Sequence, residues 1–485
     1  MARRDGCEIL KAGRPAVLSD EQMQRIHEAT LELLQRTGVR IRDAQARDVL
    51  AGAGARVTGE DLVRIPPEAV EKAIDRAPES IRLYTRTGDE AMDLGGYRSY
   101  FGSHVDCPKY LDPVTRAQQA GSSKHAGINA RVCDCLPNID FLILGGSATD
   151  CRDPEDRPPL VFTELVSNTV KPIGVCHGAE APYEAVMELA RMVAGGDEQL
   201  RARPFIFHYW EPTTPLVHTG EALRKLMWSV RDGIPVVYTP MLMAGGTCPC
   251  SFASEVMLCS AESLVGLVIA QEMRPGAPFI FGGIPTIIDM RTTICSYGAP
   301  EMWLMVMAVT DMAHCYNLPM FGTAGCTDAK EVDQQAAIEA SLSCATSVMS
   351  GANLIHDIGL LDHAEIASPE MMVLCDEIIA MLRAATQKIE VNEETLGLDL
   401  INKVGPGGHF LSEEHTLEHF REVWYPTMMD RSRLGTHAAK ELPSFTERLN
   451  RRTREIIETH QPKPLPEDVQ REFRRRQKEW TAANG

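Results

Sequence analysis

Pro204-Phe205-Ile206-Phe207-His208-Tyr209-Trp210-Glu211 decides the fold. A proline opens the stretch, where a missing N–H does least harm to a strand, β-favouring residues follow, and polar groups close it. Six further runs share this design: Phe141–Gly145, Pro172–Cys176, Pro235–Pro240, Pro278–Gly282, Pro319–Thr323 and Ala352–His356. Their starts are roughly thirty to forty residues apart, the length of a strand, a helix and two loops. Helix-length amphipathic segments fill the gaps, at Gly220 to Arg231, Ser254 to Glu272, Pro300 to Tyr316 and Asp333 to Ser350. Such alternation predicts a parallel α/β sheet. Seven units plus one more element make a closed (β/α)₈ TIM barrel more economical than an open doubly wound sheet.

Outside the repeating region, residues 1–100 read as an N-terminal α/β cap, 101–410 as the barrel and 411–485 as a C-terminal helical extension. Ser19 with Gln22 has capping-box spacing, and Met23, Ile26, Leu33 and Leu34 continue a helix that Gly38 stops. A short strand at Val39 to Ile41 and a helix from Ala44 to Ala51 follow. Ser368-Pro369-Glu370 supplies an N-cap, a first-turn proline and a favourable charge for a helix to about Ala384.

The formal net charge of −18 disfavours nucleic acid and anionic membranes as partners and favours cations. No eighteen consecutive apolar residues occur, and Arg3, Arg4 and Lys11 stand where a signal peptide needs an apolar core. The 14 cysteines show no disulfide-framework spacing, so reduced thiols in the cytoplasm are expected.

Barrel enzymes carry their chemistry at the carboxyl ends of the strands. There the chain places His208-Tyr209-Trp210-Glu211, Tyr238-Thr239, Thr323 to Asp328 and His356-Asp357, with glycines at Gly145-Gly146, Gly245-Gly246, Gly282-Gly283 and Gly322. Aromatic faces attract a quaternary ammonium at about 0.5–2 kcal/mol per ring. With 6% aromatic residues in the chain, a cluster of Tyr209, Trp210 and Tyr238 points to a cationic methylated amine, whereas any one ring alone is better explained by packing. Arg291, in Asp289-Met290-Arg291-Thr292, can clamp a carboxylate with two parallel hydrogen bonds. Asp333 reads as a helix cap.

Cys133-x-Cys135, Cys248-x-Cys250 and His314-Cys315 lack the spacing of zinc ligands, and no tightly bound metal is expected. Gly405-Pro406-Gly407-Gly408 lacks the order and the preceding strand of a nucleotide loop.

Several ordered stretches then carry a resemblance: Gly245-Gly246-Thr247, Met273-Arg274-Pro275-Gly276-Ala277-Pro278, Asp289-Met290-Arg291-Thr292, Thr327-Asp328-Ala329-Lys330 with Asp333 and Gln335, and Val404-Gly405-Pro406-Gly407-Gly408-His409-Phe410-Leu411. Through them nearly the whole chain resembles the trimethylamine methyltransferase family, including its members without pyrrolysine that act on betaines. The resemblance implies a barrel that passes a methyl group to the Co(I) corrinoid (cobalamin) of a small partner protein, without zinc. No letter marks pyrrolysine, which favours a quaternary donor, glycine betaine first. Under this reading Tyr209, Trp210 and Tyr238 surround the ammonium, with Glu211 complementing its charge. Arg291, beside Asp289, or a mouth histidine such as His356 holds the carboxylate.

Position after the strand ends places Gly245, Gly246 and Gly283 on the rim that would face the corrin ring, where they let it approach closely, with Thr327, Asp328 and Lys330 beside them. His104 joins this set or stabilises a turn, and His356 serves either a ligand or a neighbouring carboxylate. Proline betaine, carnitine, γ-butyrobetaine and trimethylamine are alternative donors; a betaine-binding sensor without catalysis and a zinc enzyme are rival readings. Self-association into a homo-oligomer is expected.

Overall fold

A computed structural model describes residues 7–8, 15–145, 147–151, 153–176, 179–433, 435 and 442–481; Gly146, Arg3, Arg4 and Lys11 lie outside them. Eight parallel strands close on themselves: β1 (Arg98–His104), β2 (Phe141–Leu144), β3 (Ile173–Val175), β4 (Ile206–Trp210), β5 (Val236–Tyr238), β6 (Phe279–Gly282), β7 (Met320–Thr323) and β8 (Leu354–His356). Closure is made by β8 beside β1, with Leu354 opposite Tyr100 and Ile355 opposite Phe101. All seven runs read from the sequence are barrel strands. The eighth strand precedes them as β1, and its last residue is His104.

Helices α1 (Ser123–Cys135), α2 (Arg157–Asn168), α3 (Glu180–Ala194), α4 (Gly220–Asp232), α5 (Phe252–Met273), α6 (Pro300–Cys315), α7 (Gln334–Ser350) and α8 (Pro369–Ala385) follow the strands in turn. Their ends obey local chemistry. Asp333 accepts from Ala336 N at the start of α7, Ser368 caps α8 ahead of its first-turn proline, and Gly233 and Gly351 end α4 and α7 at φ 72° and 78°. In the left-handed region glycine carries no Cβ penalty.

Period-two alternation sorts the strand side chains into two layers. Tyr100, Phe141, Ile143, Phe207, Tyr209, Val237, Ile280, Phe321 and Leu354 fill the barrel. Phe101, Leu142, Leu144, Ile206, Trp210, Val236, Tyr238, Phe279, Phe281, Met320 and Ile355 lie beneath the helices. Glycines on the inner face make room for the rings: a Cβ at Gly102 would stand 2.4 Å from the Phe141 ring, and one at Gly174 2.6 Å from Phe207.

Helix α5 is 22 residues long and apolar enough to cross a membrane, yet it is largely buried. Strands cover one side of it and the N-terminal helices Asp20–Glu32, Ala44–Gly52 and Pro67–Arg76 cover the other, which accounts for an apolar surface all round. The first of these helices begins with the Ser19–Gln22 capping box read from the sequence. At the other end of the chain α9 (Phe445–Thr459) packs on α8 and α1, and α10 (Glu467–Trp480) packs on α2. The thirteen cysteines from Cys107 to Cys375 are unbridged.

Candidate functional site

The pleat decides which strand-end residues face the barrel axis. His104, Tyr209, Thr323 and His356 terminate inner rows, and Glu211 extends the Tyr209 row by one step. His104 and His356 rings are 5.3 Å apart; Tyr209 lies 6.2 Å from the first and 5.8 Å from the second, and Phe321 closes against His356 at 4.2 Å. Tyr209, Glu211, His356 and His104, all read from the sequence, therefore converge.

Trp210 and Tyr238 do not join them, and the expected three-ring cage is corrected. Each is one step out of phase with Tyr209. The Trp210 indole donates to Ser229 Oγ at 2.9 Å, beneath Lys225 of α4, and the Tyr238 hydroxyl lies 2.8 Å from His218 Nδ1. A Cβ on Gly266 of α5 would meet the Tyr238 ring at 2.3 Å, so this ring is wedged between wall and helix.

Hydrogen bonds lock the convergent groups. His356 Nδ1 lies 2.7 Å from the Gly322 carbonyl, which can only accept, so this nitrogen carries the proton. His356 Nε2 then faces Asp357 Oδ2 at 3.2 Å, while the Thr323 hydroxyl donates to that same oxygen at 2.8 Å. His104 Nε2 stands 3.6 Å from Asp357 Oδ1. Asp357 holds a left-handed φ of 73°, a conformation that costs energy in a non-glycine residue and turns its carboxylate back over the strand ends. The Tyr209 phenol donates to Glu211 Oε1.

Burial controls the electrostatics. It lowers His356 to about 3 and His104 to about 4, so both imidazoles are neutral near pH 7; Asp357 opposes the fall at His104. It raises Asp357 and Glu211, against the histidine and Thr323 at the first and against the Tyr209 hydrogen bond at the second. Glu211 keeps solvent-accessible surface although protein encloses it, as expected of a group in a concavity. Asp357 adds to the rise at Glu211 and Lys225 opposes it, while the histidine pair between the strand ends is neutral.

The remaining candidates sit apart. Gly245 and Gly246 form an exposed turn after the rim strand Met241–Ala244, packed near Ile288 and Met290 of the neighbouring rim strand and turn. Asp289 accepts from the backbone N–H groups of Arg291 and Thr292 at 2.7 and 3.0 Å, which shapes that turn, and Arg291 is exposed upon it, outside the convergent group.

Gly283 is not an open rim glycine: its Cβ would stand 2.7 Å from Cys259 Sγ of α5, so it serves close strand–helix packing. Thr327 donates to Glu339, and Asp328 accepts from Tyr297 N at 2.8 Å and Gly298 N at 3.0 Å. Thr327 thereby ties the loop after β7 to helix α7, and Asp328 ties it to the loop before α6. Lys330 is exposed and donates to the Asp328 carbonyl at 2.6 Å.

Comparison with known proteins now adds to this geometry. The sequence model of trimethylamine methyltransferases matches residues 8–481. The chain belongs to the trimethylamine methyltransferase family. It is 31% identical over 460 residues to the trimethylamine methyltransferase MttB of Desulfitobacterium hafniense (strain DSM 10664 / DCB-2), covering 94% of this chain and 92% of that one. It is 29% identical to the glycine betaine methyltransferase of D. hafniense strain Y51, covering 93% and 94%. In fold it is similar to the monomethylamine methyltransferase MtmB of Methanosarcina barkeri, with TM-score 0.52 and 10% identity over 97% of this chain and 89% of that one. This family member is an enzyme, a methyltransferase.

Within this family member, sequence reasoning overlooked Thr323 as the group that orients Asp357, and Tyr297 in the loop before α6, whose hydroxyl is raised by burial first, then by Asp357 and, least, by Glu211. Thr323 could have been found from its place at the end of an inner row. Tyr297 follows the two-residue rim strand Cys295–Ser296, well past the end of β6 at Gly282, where the reading of barrel strands carries no signal.

Proposed function

We propose that this methyltransferase takes a methyl group from a quaternary amine, glycine betaine first, and delivers it to the Co(I) corrinoid of a small partner protein docked at the barrel mouth. The observation that carries the reading is the pair of carboxyls, Glu211 and Asp357, gathered at the strand ends with the rings of Tyr209, His104 and His356. An ammonium ion is attracted both by carboxyl charge and by aromatic faces. In the reaction the N–CH₃ bond breaks, its electron pair stays with nitrogen, and the methyl carbon bonds to the reduced cobalt. The departing tertiary amine is neutral and needs no proton, so the protein contributes position and charge complementarity.

The name of the D. hafniense glycine betaine methyltransferase and the lack of a pyrrolysine position support a quaternary donor. The exposed turns at Gly245–Gly246 and Asp289–Arg291 flank the mouth that the corrinoid partner would cover. A cytoplasmic setting suits both the free thiols and a reduced acceptor. A second reading has one specific observation in its favour: with Arg291 on an exposed turn, a quaternary amine without a carboxylate fits the acidic pair equally well.

The test is transfer to free Co(I) cobalamin, followed by absorbance, with glycine betaine, tetramethylammonium and trimethylamine in parallel. Turnover of glycine betaine above trimethylamine is expected. Turnover of trimethylamine alone would overturn the proposal.

A further inference from the structure

Between α8 and α9 the chain forms an arm without a core. No residue from Ala380 to Tyr425 is buried, although three short helices, Glu393–Leu396, Leu398–Val404 and Glu414–His419, give the segment a definite shape. Polar bonds hold that shape. Lys403 pairs with Glu413 at 2.6 Å, the Thr416 hydroxyl donates to the Phe410 carbonyl at 2.7 Å, and the rings of His415 and His419 lie 4.2 Å apart. Among the described residues, no hydrogen bond or ion pair joins residues 387–423 to the rest of the chain.

The apolar side chains of the arm are left over. Eleven large ones between Ile389 and Tyr425 are exposed, Ile389 at 89%, Leu411 at 85% and Leu417 at 71%. A segment this short does not build a core of its own, and an apolar surface of this extent marks a contact with another molecule. A second unpartnered surface lies on the barrel. Along α7, Ile338, Leu342, Ala345 and Met349 follow one another at helical intervals, and all but the alanine are exposed. The single charged residue of that helix, Glu339, is engaged by Thr327, so the outer face carries none of the charge that a solvated helix presents. Leu304 of α6, the neighbouring helix, extends the patch.

The root of the arm says what covers it. Arg383, in the last turn of α8, donates to Asp140 Oδ2 at 2.7 Å just ahead of β2, so the arm leaves at the base of the barrel. It returns where the Thr427 and Met428 N–H groups donate to Glu377 of α8, both at 3.0 Å. The mouth lies at the other end. A carrier that visits the mouth and departs after each transfer is therefore a poor cover for the arm, whereas a permanent apolar contact suits a second copy of a chain that carries both surfaces.

We infer that the arm of one copy seats on the outer face of α7 of a second copy, and that α7 of the first receives the second arm in return. Fifteen exposed apolar side chains per copy enter the contact, the eleven of the arm with Leu304, Ile338, Leu342 and Met349. At roughly 60–120 Å² for each such side chain, reduced for partial exposure, they supply on the order of 800 Å² per copy, the area that a stable interface buries on each partner.

Sedimentation of the full-length protein tests the exchange. At micromolar concentration the wild type is expected above the 53.5 kDa of one chain. Leu398→Ser with Leu411→Ser in the arm, and separately Ile338→Ser with Leu342→Ser on α7, are each expected to weaken association about a hundredfold or more. All four side chains are exposed within one copy, so its fold does not need them, and circular dichroism checks that each variant keeps its helices. A monomeric wild type, or an arm variant that associates as the wild type does, would overturn the inference. Loss of association in the arm variant with none in the α7 variant would overturn the seat on α7.

Discussion

The Tyr209 phenol donates to Glu211 two residues along the chain, which holds the one solvent-accessible carboxylate of the strand-end cluster at the hydroxyl edge of an aromatic ring. A negative charge and a ring quadrupole are thereby presented together, the combination that binds a cation without accepting a proton from it.

Glu211→Gln removes the charge and keeps the shape. Affinity for tetramethylammonium should fall about tenfold, the scale of one partly screened charge interaction. Tyr209→Phe should weaken it in the same direction by less, because the ring remains. Calorimetry with folded variants reads both; unchanged affinity in Glu211→Gln would separate this carboxylate from the donor.

Tyr238→Phe should do the opposite. The hydroxyl bonds His218 outside the barrel wall, so amine affinity should stay unchanged while stability falls by about 1 kcal/mol, one buried hydrogen bond. Denaturant unfolding beside a binding titration distinguishes the two outcomes.

Gly283→Ala tests whether that glycine serves a docking partner or the fold. With the added Cβ 2.7 Å from Cys259 Sγ, a loss of about 1–3 kcal/mol is expected. Cys259→Ala in the same chain should restore part of it, since the two sites share one contact. A full loss of transfer with unchanged melting temperature would return Gly283 to the rim.

Glu262 of α5 titrates inside the protein. Burial raises it from 4.5 to about 8, with Leu216 N–H as its backbone partner. A carboxyl raised on folding contributes stability that is full below its unfolded value and is lost as pH climbs through the folded one. Glu262→Gln should therefore gain in melting temperature over the wild type as pH rises from about 5 to 8. A difference constant with pH would mean the carboxyl is already ionised.

Arg291→Ala should leave glycine betaine and tetramethylammonium affinities equal to the wild type within about twofold, since an exposed side chain on a turn contributes little to a distant site. A selective loss for glycine betaine would show that the turn reaches over the mouth in the bound state.

Seven of the eight strands, the helices from Gly220 onward and their order were legible from chain chemistry alone. Prolines opening Pro172, Pro204, Pro235, Pro278 and Pro319 runs, caps at Ser19, Asp333 and Ser368, and stops at Gly38 and Gly351 are local events, written in neighbouring residues. β1 was less legible because Arg98–His104 mixes charged, aromatic and glycine residues, and only closure against Ile355 makes it a wall strand.

Sequence also determined which residues end each strand, and so the set from which the site is drawn. It did not determine the phase of the pleat. In a barrel both faces of a strand are buried, one by the opposite wall and one by helices, so Tyr209, Trp210 and Tyr238 carry the same apolar signature on either face. Tertiary closure chose the inner row, brought His104 from the first strand against His356 and Asp357 from the last, and sent Trp210 and Tyr238 to the helices. Residues 252 positions apart can meet only when a sheet curls shut, and no local pattern encodes that meeting.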